Sequence, residues 1–231
     1  MADRFYTPQL LPPGEFVLDG AEGHHLATVR RFAPGDRVVL FNGDGSDYPA
    51  EIVAVSKKSA VLIVGPPLCA DREVGFDLVV ASALPKGDRA DFLIEKLTEL
   101  GATRFVPLIT ARSVVVPKAS TVEKFSRAVI EASKQCGRNV LMQVDEPARW
   151  NDFLKRTDPP PGRYALHTSG SNGRIDRATV KDGVIVAVGP EGGFTSEEVD
   201  EASRMGWKEI SLGTRILRIE TAAIAAVSIL I

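Results

Sequence analysis

The hydrophobic pattern of this chain changes at a proline pair, Pro66-Pro67, and that change divides what the chain can fold into. Before the pair, short apolar runs such as RVVLF and AVLIV alternate with turn residues, including NGDG at residues 42–45. Asn-Gly and Asp-Gly supply the positive φ angles that tight hairpin turns need. Because consecutive prolines cannot continue a strand ladder, we place a domain boundary near residues 66–74 and predict a small β-barrel over residues 1–70.

From residue 74 onward the pattern alternates between buried strands and amphipathic helices. DLVVASAL, RFVPLIT, RYALHT, VIVAVG and KEISLG are predicted strands. The first two flank the predicted helix DRADFLIEKLTEL, with Phe92, Leu93, Leu97 and Leu100 on one side. This alternation predicts an α/β domain over residues 74–231, with a mostly parallel sheet covered on both faces. A proline-rich loop is predicted at residues 157–163.

Two later helices carry recognisable start signals. Ser120 with Glu123, and Thr195 with Glu198, have the spacing of a capping box, in which each side chain bonds to the backbone N–H of the other residue. Gly206 is the predicted stop of the second of these helices.

Several common chemistries are absent from the sequence. It has no GxxxxGK[ST] phosphate loop, no GxGxxG after a strand and no GxSxG nucleophile motif. Three histidines and two distant cysteines do not make a metal site, so none is predicted. A Cys136–His167 nucleophile pair is conceivable, although a lone helical cysteine is more often a core residue. The formal net charge of -2 means that nucleic acid binding would require a local basic patch.

The segment VIVAVGPEGGFTSEE contains the first positive signal, a glycine-rich turn at residues 189–193 between a strand and a helix. Ligands of open α/β sheets bind beyond the carboxyl ends of strands, and glycine lets the backbone approach them closely. A sharp strand-to-helix turn without any ligand explains the same residues equally well.

The segment SLGTRILRIETAAIAAVSILI contains the second signal, two arginines and a carboxylate between a strand and an apolar helix. That helix must be buried, either in the core or against a partner. Charges beside it are costly unless paired, so Arg218 is expected to pair with Glu220 or Glu191. Such a pair can be structural, functional or both.

Local charge is a weaker signal. Residues 104–138 contain seven Lys or Arg and two acids, and His24, His25, Arg30 and Arg31 form another basic cluster. Two basic clusters could hold a phosphate backbone. The alternative is a solvated helix face.

Taken together, these motifs resemble one family, the ribosomal RNA small subunit methyltransferase E family of the SPOUT methyltransferases. GPEGG and LGTRILRIETA carry the resemblance, with support from RFY near the start, LPKGDRADFLIEKLTELG, and EASKQCGR at residues 131–138. It implies a SPOUT methyltransferase domain with a C-terminal trefoil knot behind a PUA-like, RNA-binding β-barrel. It further implies S-adenosylmethionine as donor, N3 of a uridine in the decoding region of 16S rRNA as acceptor, and a homodimer through the knotted domain. Naked rRNA and the assembled small subunit both remain open as substrates.

The motifs, the local charge and the resemblance together give the expected site residues. Those expected to bind the cofactor are Leu166, Gly189, Pro190, Glu191, Gly192, Gly193, Leu212, Gly213, Ile216, Leu217 and Thr221. Those expected to bind RNA are His25, Arg30, Arg31, Arg112, Lys134, Gln135 and Arg138. For catalysis we expect Arg218 or Arg138 as a cation and Glu191 or Glu220 as the orienting or proton-accepting group, with His167 as another candidate base.

Three alternatives remain from the sequence: a non-catalytic RNA-binding protein, a small-molecule enzyme using the same glycine-rich loop, and a SPOUT methyltransferase with another RNA target. The N-terminal residues have no apolar signal-peptide core, and AAIAAVSILI is about half a membrane span, so we predict a cytoplasmic protein. The apolar run stops abruptly at Ile231, which predicts that the natural chain continues for a few residues.

Overall fold

A computed structural model of the chain describes residues 3–156, 160–168, 177, 180 and 182–231. Residues 157–159 of the predicted proline-rich loop lie outside this part. The chain divides into two compact units. The N-terminal unit comprises Met1–Arg72 and Ser133–Leu141, and the C-terminal unit comprises Glu73–Ala132 and Met142–Ile231. Residues 133–141, which the sequence pattern assigns to the second domain, therefore group with the first unit.

The N-terminal unit is built on a sheet in the order β1-β3-β4-β5-β2, with β6 paired to β4. Its strands are β1 Arg4–Tyr6, β2 Gly14–Leu18, β3 Arg37–Phe41, β4 Ser46–Val55, β5 Ala60–Val64 and β6 Leu68–Cys69, and its helix is α1 Gly20–His24, followed by a π-helical turn at His25–Val29. Alternating side chains of these strands form the core, including Leu40, Ile52 and Leu62. The strands predicted from RVVLF and AVLIV are confirmed. Strand β6 follows the proline pair, which thus interrupts the sheet without ending it.

A buried charge cluster lies in the N-terminal unit. Asp47 on β4 accepts hydrogen bonds from Arg4 and Arg72, each at 2.8 Å, and from the side-chain amide of Asn139 at 3.4 Å. Burial alone would raise the pKa of Asp47, but the hydrogen bonds from Arg4 and Arg72, and their charges, outweigh it and lower the pKa below its ordinary 3.8. The carboxylate thus remains charged at neutral pH, and Asn139 attaches residues 133–141 to this unit.

The C-terminal unit is built on a sheet in the order β10-β8-β7-β12-β11-β13, with β9 paired to β8, and every pairing in it is parallel. Its strands are β7 Asp77–Ala83, β8 Arg104–Ile109, β9 Gln143–Val144, β10 Ala148–Arg149, β11 Gly162–Leu166, β12 Gly183–Val188 and β13 Lys208–Ile210. Its helices are α2 Arg89–Glu99, α3 Ala119–Cys136, whose last four residues belong to the N-terminal unit, α4 Trp150–Leu154, α5 Ser196–Arg204 and α6 Ile219–Leu230. The predicted parallel α/β fold is confirmed.

Both faces of this sheet are covered. Val79 faces an aromatic cluster on one side, while its neighbours Leu78 and Val80 are equally buried on the other. In the aromatic cluster the rings of Trp150 and Phe194 lie 4.5 Å apart. Because Phe194 directly follows the glycine-rich turn, its burial anchors the end of that turn to the core.

Helix ends agree with the sequence at one predicted capping box and differ at the other. Thr195 accepts from the backbone N–H of Glu198, and the Glu198 carboxylate accepts from the backbone N–H of Thr195. The box predicted from Ser120 and Glu123 is wrong, because α3 begins at Ala119 and Thr121 instead caps the backbone N–H of Lys118. Phe92 was also expected on the buried side of α2, but it is 46% exposed.

Candidate active site

A cavity of about 360 Å³ opens at the carboxyl edge of the C-terminal sheet. Strand β11 pairs with β12 on one side and β13 on the other, all in parallel, so the segments that follow these three strands meet at one edge. These segments, the loop after β8 and the start of α6 line the cavity. The lining residues are Arg112, Leu166, His167, Thr168, Val188, Gly189, Pro190, Glu191, Gly192, Gly193, Ile210, Ser211, Leu212, Gly213, Arg215, Ile216, Leu217, Ile219 and Ala222.

The glycine-rich turn at residues 189–193 forms one wall. A Cβ at Gly189 would lie 3.0 Å from the backbone nitrogen of Phe194, which leaves little room for a side chain. Gly193 has φ of +68° and donates from its N–H to the carbonyl of Pro190 at 2.8 Å. Close approach at the first position and a left-handed conformation at the last explain why glycine occupies both. This wall consequently presents backbone groups to the cavity.

The loop after β8 is fastened to the same turn. The Arg112 guanidinium donates to the carbonyl of Gly192 at 2.6 Å, and the backbone N–H of Ala111 donates to Glu198 at 2.8 Å. One carboxylate oxygen of Glu198 therefore takes part in the capping box of α5, and the other holds this loop. Arg112, predicted from charge alone to contact RNA, lies in the cavity wall.

The segment between β13 and α6 forms the opposite wall. Ile216 lines the cavity and is 85% exposed, and Arg215 beside it is also exposed. Arg218 is the exposed N-cap residue of α6, just outside the lining. Thr221 is exposed and does not line the cavity, unlike the other ten residues expected to bind a cofactor.

Two carboxylates lie in or beside this cavity. Glu191 lines it with a side chain 41% exposed, whereas Glu220, in the first turn of α6, has a side chain only 8% exposed. The Arg89 guanidinium lies 3.9 Å from Glu191 and 3.6 Å from Glu220. The pairing expected from sequence is thus formed by Arg89 of α2 in place of Arg218. Arg89 lies in the family block LPKGDRADFLIEKLTELG, but it was not among the residues expected at this site.

The other residues expected to bind RNA lie in the N-terminal unit. Arg30 and Arg31 are exposed, His25 is half-buried beside Phe5, and Gln135 is exposed. Lys134 pairs with Glu22 at 2.8 Å with 12% of its side chain exposed, and Arg138 is 3% exposed. Arg138, also expected as a catalytic cation, belongs to the N-terminal unit. The roles predicted for all these residues stay predictions.

The basic stretch at residues 104–138 is less positive in the fold than in the sequence. Lys124 pairs with Asp91 at 2.7 Å, and Arg127 pairs with Glu123 at 3.5 Å. Asp91 and Glu22 come from outside the stretch and offset two of its cations. Arg112 is therefore its best placed cation for a ligand in the cavity.

None of the helices among the described residues has both the length and the hydrophobicity of a membrane span. The same residues contain no group of three or more His, Cys, Asp or Glu arranged to hold a metal ion.

Comparison with known families accounts for both units. The family described as "RNA methyltransferase domain" matches residues 72–231, and "RNA methyltransferase PUA domain" matches residues 18–65. The fold and its cavity are thus those of an RNA methyltransferase-type protein with an N-terminal PUA domain.

Relatives that align over most of this chain identify its family within this class. Ribosomal RNA small subunit methyltransferase E of Bacillus subtilis is 33% identical over 225 residues, covering 92% of this chain and 88% of that protein. The chain belongs to the ribosomal RNA small subunit methyltransferase E family.

Two similar solved structures support the same family assignment. A Legionella pneumophila methyltransferase with bound S-adenosylmethionine is 33% identical, with a TM-score of 0.92 and coverage of 100% of this chain and 97% of that one. The Neisseria gonorrhoeae ribosomal RNA small subunit methyltransferase E, also bound to S-adenosylmethionine, is 28% identical, with a TM-score of 0.91 and coverage of 99% and 96%.

Proposed function

We propose that this protein transfers a methyl group from S-adenosylmethionine to N3 of a uridine in the decoding region of 16S rRNA. The observation that carries the proposal is the convergence of the GPEGG turn and the LGTRILRIETA segment on one cavity, although more than fifteen residues separate them in sequence. The family membership and the cofactor in two similar structures support it.

The cavity suits such a donor. Backbone groups of residues 189–193 and 212–217 would hold its adenosine and methionine parts, with Leu166 as a third wall. The fit rests on the cavity volume of about 360 Å³ and on the apolar side chains of Leu212, Ile216 and Leu217 in its wall. When bound, S-adenosylmethionine supplies a methyl group on a sulfonium, an activated form that leaves the protein the tasks of positioning and deprotonation.

Residues of this chain are placed to remove the proton of the acceptor uridine and to stabilise the resulting negative charge. The N3 proton of uridine must leave, and Glu191, a carboxylate in the cavity wall, is the proposed acceptor, with His167 as the other lining candidate. Arg218, with Arg215 nearby in the wall, would stabilise negative charge that develops on the uracil oxygens. The target base must leave its stack to reach the cavity.

On the RNA side, we propose contacts from His25, Arg30 and Arg31 in the N-terminal unit and Arg112 at the cavity. Arg30, Arg31 and Arg112 are exposed cations, the type of group that neutralises phosphates. Lys134 and Arg138 are more buried and are weaker candidates.

Assembly belongs to the same proposal. A C-terminal trefoil knot and a homodimer through the C-terminal unit are inferred from the resemblance. Light scattering of the purified protein tests the dimer. A cytoplasmic location follows from an rRNA substrate.

The decisive experiment is mass mapping of 16S rRNA from cells that lack this protein. We expect one uridine to lose one methyl group, and purified protein with labelled S-adenosylmethionine to restore it on small subunits from those cells. An unchanged map would reject the 16S target, and absence of S-adenosylmethionine binding by calorimetry would favour a non-catalytic RNA-binding protein.

A further inference from the structure

Three charged residues from three separate segments meet beside the cavity. Arg89 is the first residue of α2, Glu191 belongs to the glycine-rich turn, and Glu220 lies in the first turn of α6. One nitrogen of the guanidinium lies 3.9 Å from Glu191 Oε1 and another lies 3.6 Å from Glu220 Oε1. A single arginine therefore connects the two segments that carry the family signature.

The Glu220 carboxylate is under-satisfied. It is nearly buried, and its Oε2 atom has no hydrogen-bond partner among the described residues. A buried carboxylate is costly unless it is compensated, and here the Arg89 charge adds to the stabilisation that the N-terminal end of α6 gives. Solvent screens the contact with Glu220 less than the contact with Glu191, because Glu191 is 41% exposed.

The geometry suits a guanidinium. Two of its nitrogens face different carboxylates at ion-pair distances, whereas the ammonium of a lysine is a single point charge. Arg89 itself does not line the cavity, but Glu191 does, and so do Ile219 and Ala222 on either side of Glu220. Movement of the glycine-rich turn away from α6 would therefore lengthen one of the two contacts.

We propose that Arg89 is a positioning residue for the cofactor site, which holds the glycine-rich turn against the start of α6 through Glu191 and Glu220. This inference rests on the proposed binding of S-adenosylmethionine in that cavity. The ion pair with Glu191 is exposed and contributes little to folding. Its effect is to keep the two walls in the arrangement that the ligand needs, so that less conformational entropy is lost on binding.

The test measures cofactor affinity and turnover separately. Calorimetry of S-adenosylmethionine with R89M is expected to show a Kd raised about tenfold, while kcat on small subunits at saturating cofactor stays within about threefold. R89K restores the charge but not the two-sided reach, so its Kd is expected between those of wild type and R89M. The double variant R89M/E220Q is expected to bind no more weakly than R89M, because the contact is already lost and Glu220 itself does not line the cavity.

Controls separate positioning from folding. K96M removes another α2 cation, whose partners Glu95 and Glu99 are on the same helix, and its Kd is expected to match wild type. If R89M does not fold, E220Q and R89K carry the test, both with a raised Kd expected. A Kd within twofold of wild type, or a lowered Tm with unchanged Kd, would overturn the role of Arg89 alone. Failure of the wild type to bind would instead overturn the proposed function and this inference with it.

Discussion

Each unit of this protein keeps a carboxylate out of water beside arginine, and the two carboxylates are treated in opposite ways. Asp47 in the N-terminal unit accepts from Arg4, Arg72 and Asn139. Glu220 in the C-terminal unit has one contact with Arg89, at 3.6 Å, and one oxygen with no hydrogen-bond partner among the described residues. Both oxygens of Asp47 are thus hydrogen-bonded, whereas one oxygen of Glu220 is left without a hydrogen bond beside the cavity. Because most buried polar groups are hydrogen-bonded, an under-paired buried carboxylate next to a cavity is a candidate for a functional role.

The largest effect on activity is expected at Glu191, which shares the Arg89 guanidinium with Glu220 and lines the cavity. Replacing it with Gln removes the proposed proton acceptor while preserving shape, and we expect kcat at saturating S-adenosylmethionine to fall about 1,000-fold. Single-turnover methylation of small subunits measures the change. A loss below about tenfold would assign the proton to another group, and H167Q under the same conditions would then identify it.

The next effect is one of stability. Asp47→Asn leaves Arg4 and Arg72 without their shared charge and is expected to lower the free energy of unfolding by about 3 kcal/mol. Denaturant unfolding measures it. The matched control is Glu51→Gln, which breaks an exposed pair with Arg37 on the same sheet and should cost less than about 0.5 kcal/mol. Equal losses in the two variants would contradict a special role for the buried cluster.

The third prediction concerns Arg218, which lies beside the cavity of the C-terminal unit. Arg218→Ala is expected to lower kcat about 30-fold through lost charge stabilisation, with the Kd for S-adenosylmethionine changed less than about threefold because the residue lies outside the lining. Arg215→Ala, which alters the wall itself, should change both quantities. Turnover of Arg218→Ala within about threefold of wild type would remove Arg218 from the mechanism.

The smallest effect is a pH dependence. The pKa of Asp47 is lowered in the folded state, so its contribution to stability is present above the ordinary value of 3.8 and is lost as the pH falls through the lower native value. Wild-type unfolding free energy should therefore decrease below about pH 4, and less steeply in Asp47→Asn. Asp44, whose pKa is also lowered, leaves a residual slope in the variant. Identical slopes would show that Asp47 does not titrate differently on folding.

The sequence predicts those features that depend on neighbours along the chain. Strand periodicity, the Thr195–Glu198 capping box and the glycine-rich turn are local, and each is found in the structure. The convergence of two segments on one cavity requires the strand order β12-β11-β13, which no local pattern contains. The resemblance to a family supplied that step.

Other features could not be predicted because the residues that form them are far apart in the sequence. Arg89 lies more than one hundred residues before Glu191, so nothing adjacent to it indicates its two carboxylates. The positive charge of residues 104–138 was overestimated for the same reason, since Asp91 and Glu22 neutralise Lys124 and Lys134 from outside that stretch. The Ser120–Glu123 spacing was present, but Thr121 one residue later provides the cap.

The assignment of Ser133–Leu141 to the N-terminal unit has a consequence for how this protein is made and dissected. A fragment ending at Arg72 would lack Asn139, and with it a donor to Asp47. During synthesis, the first unit must wait for a segment encoded well after its last strand before its interior polar cluster is complete. Truncation at the obvious boundary would therefore isolate an unfinished module, whereas a circularly permuted or linker-joined version carrying residues 133–141 would restore the missing donor.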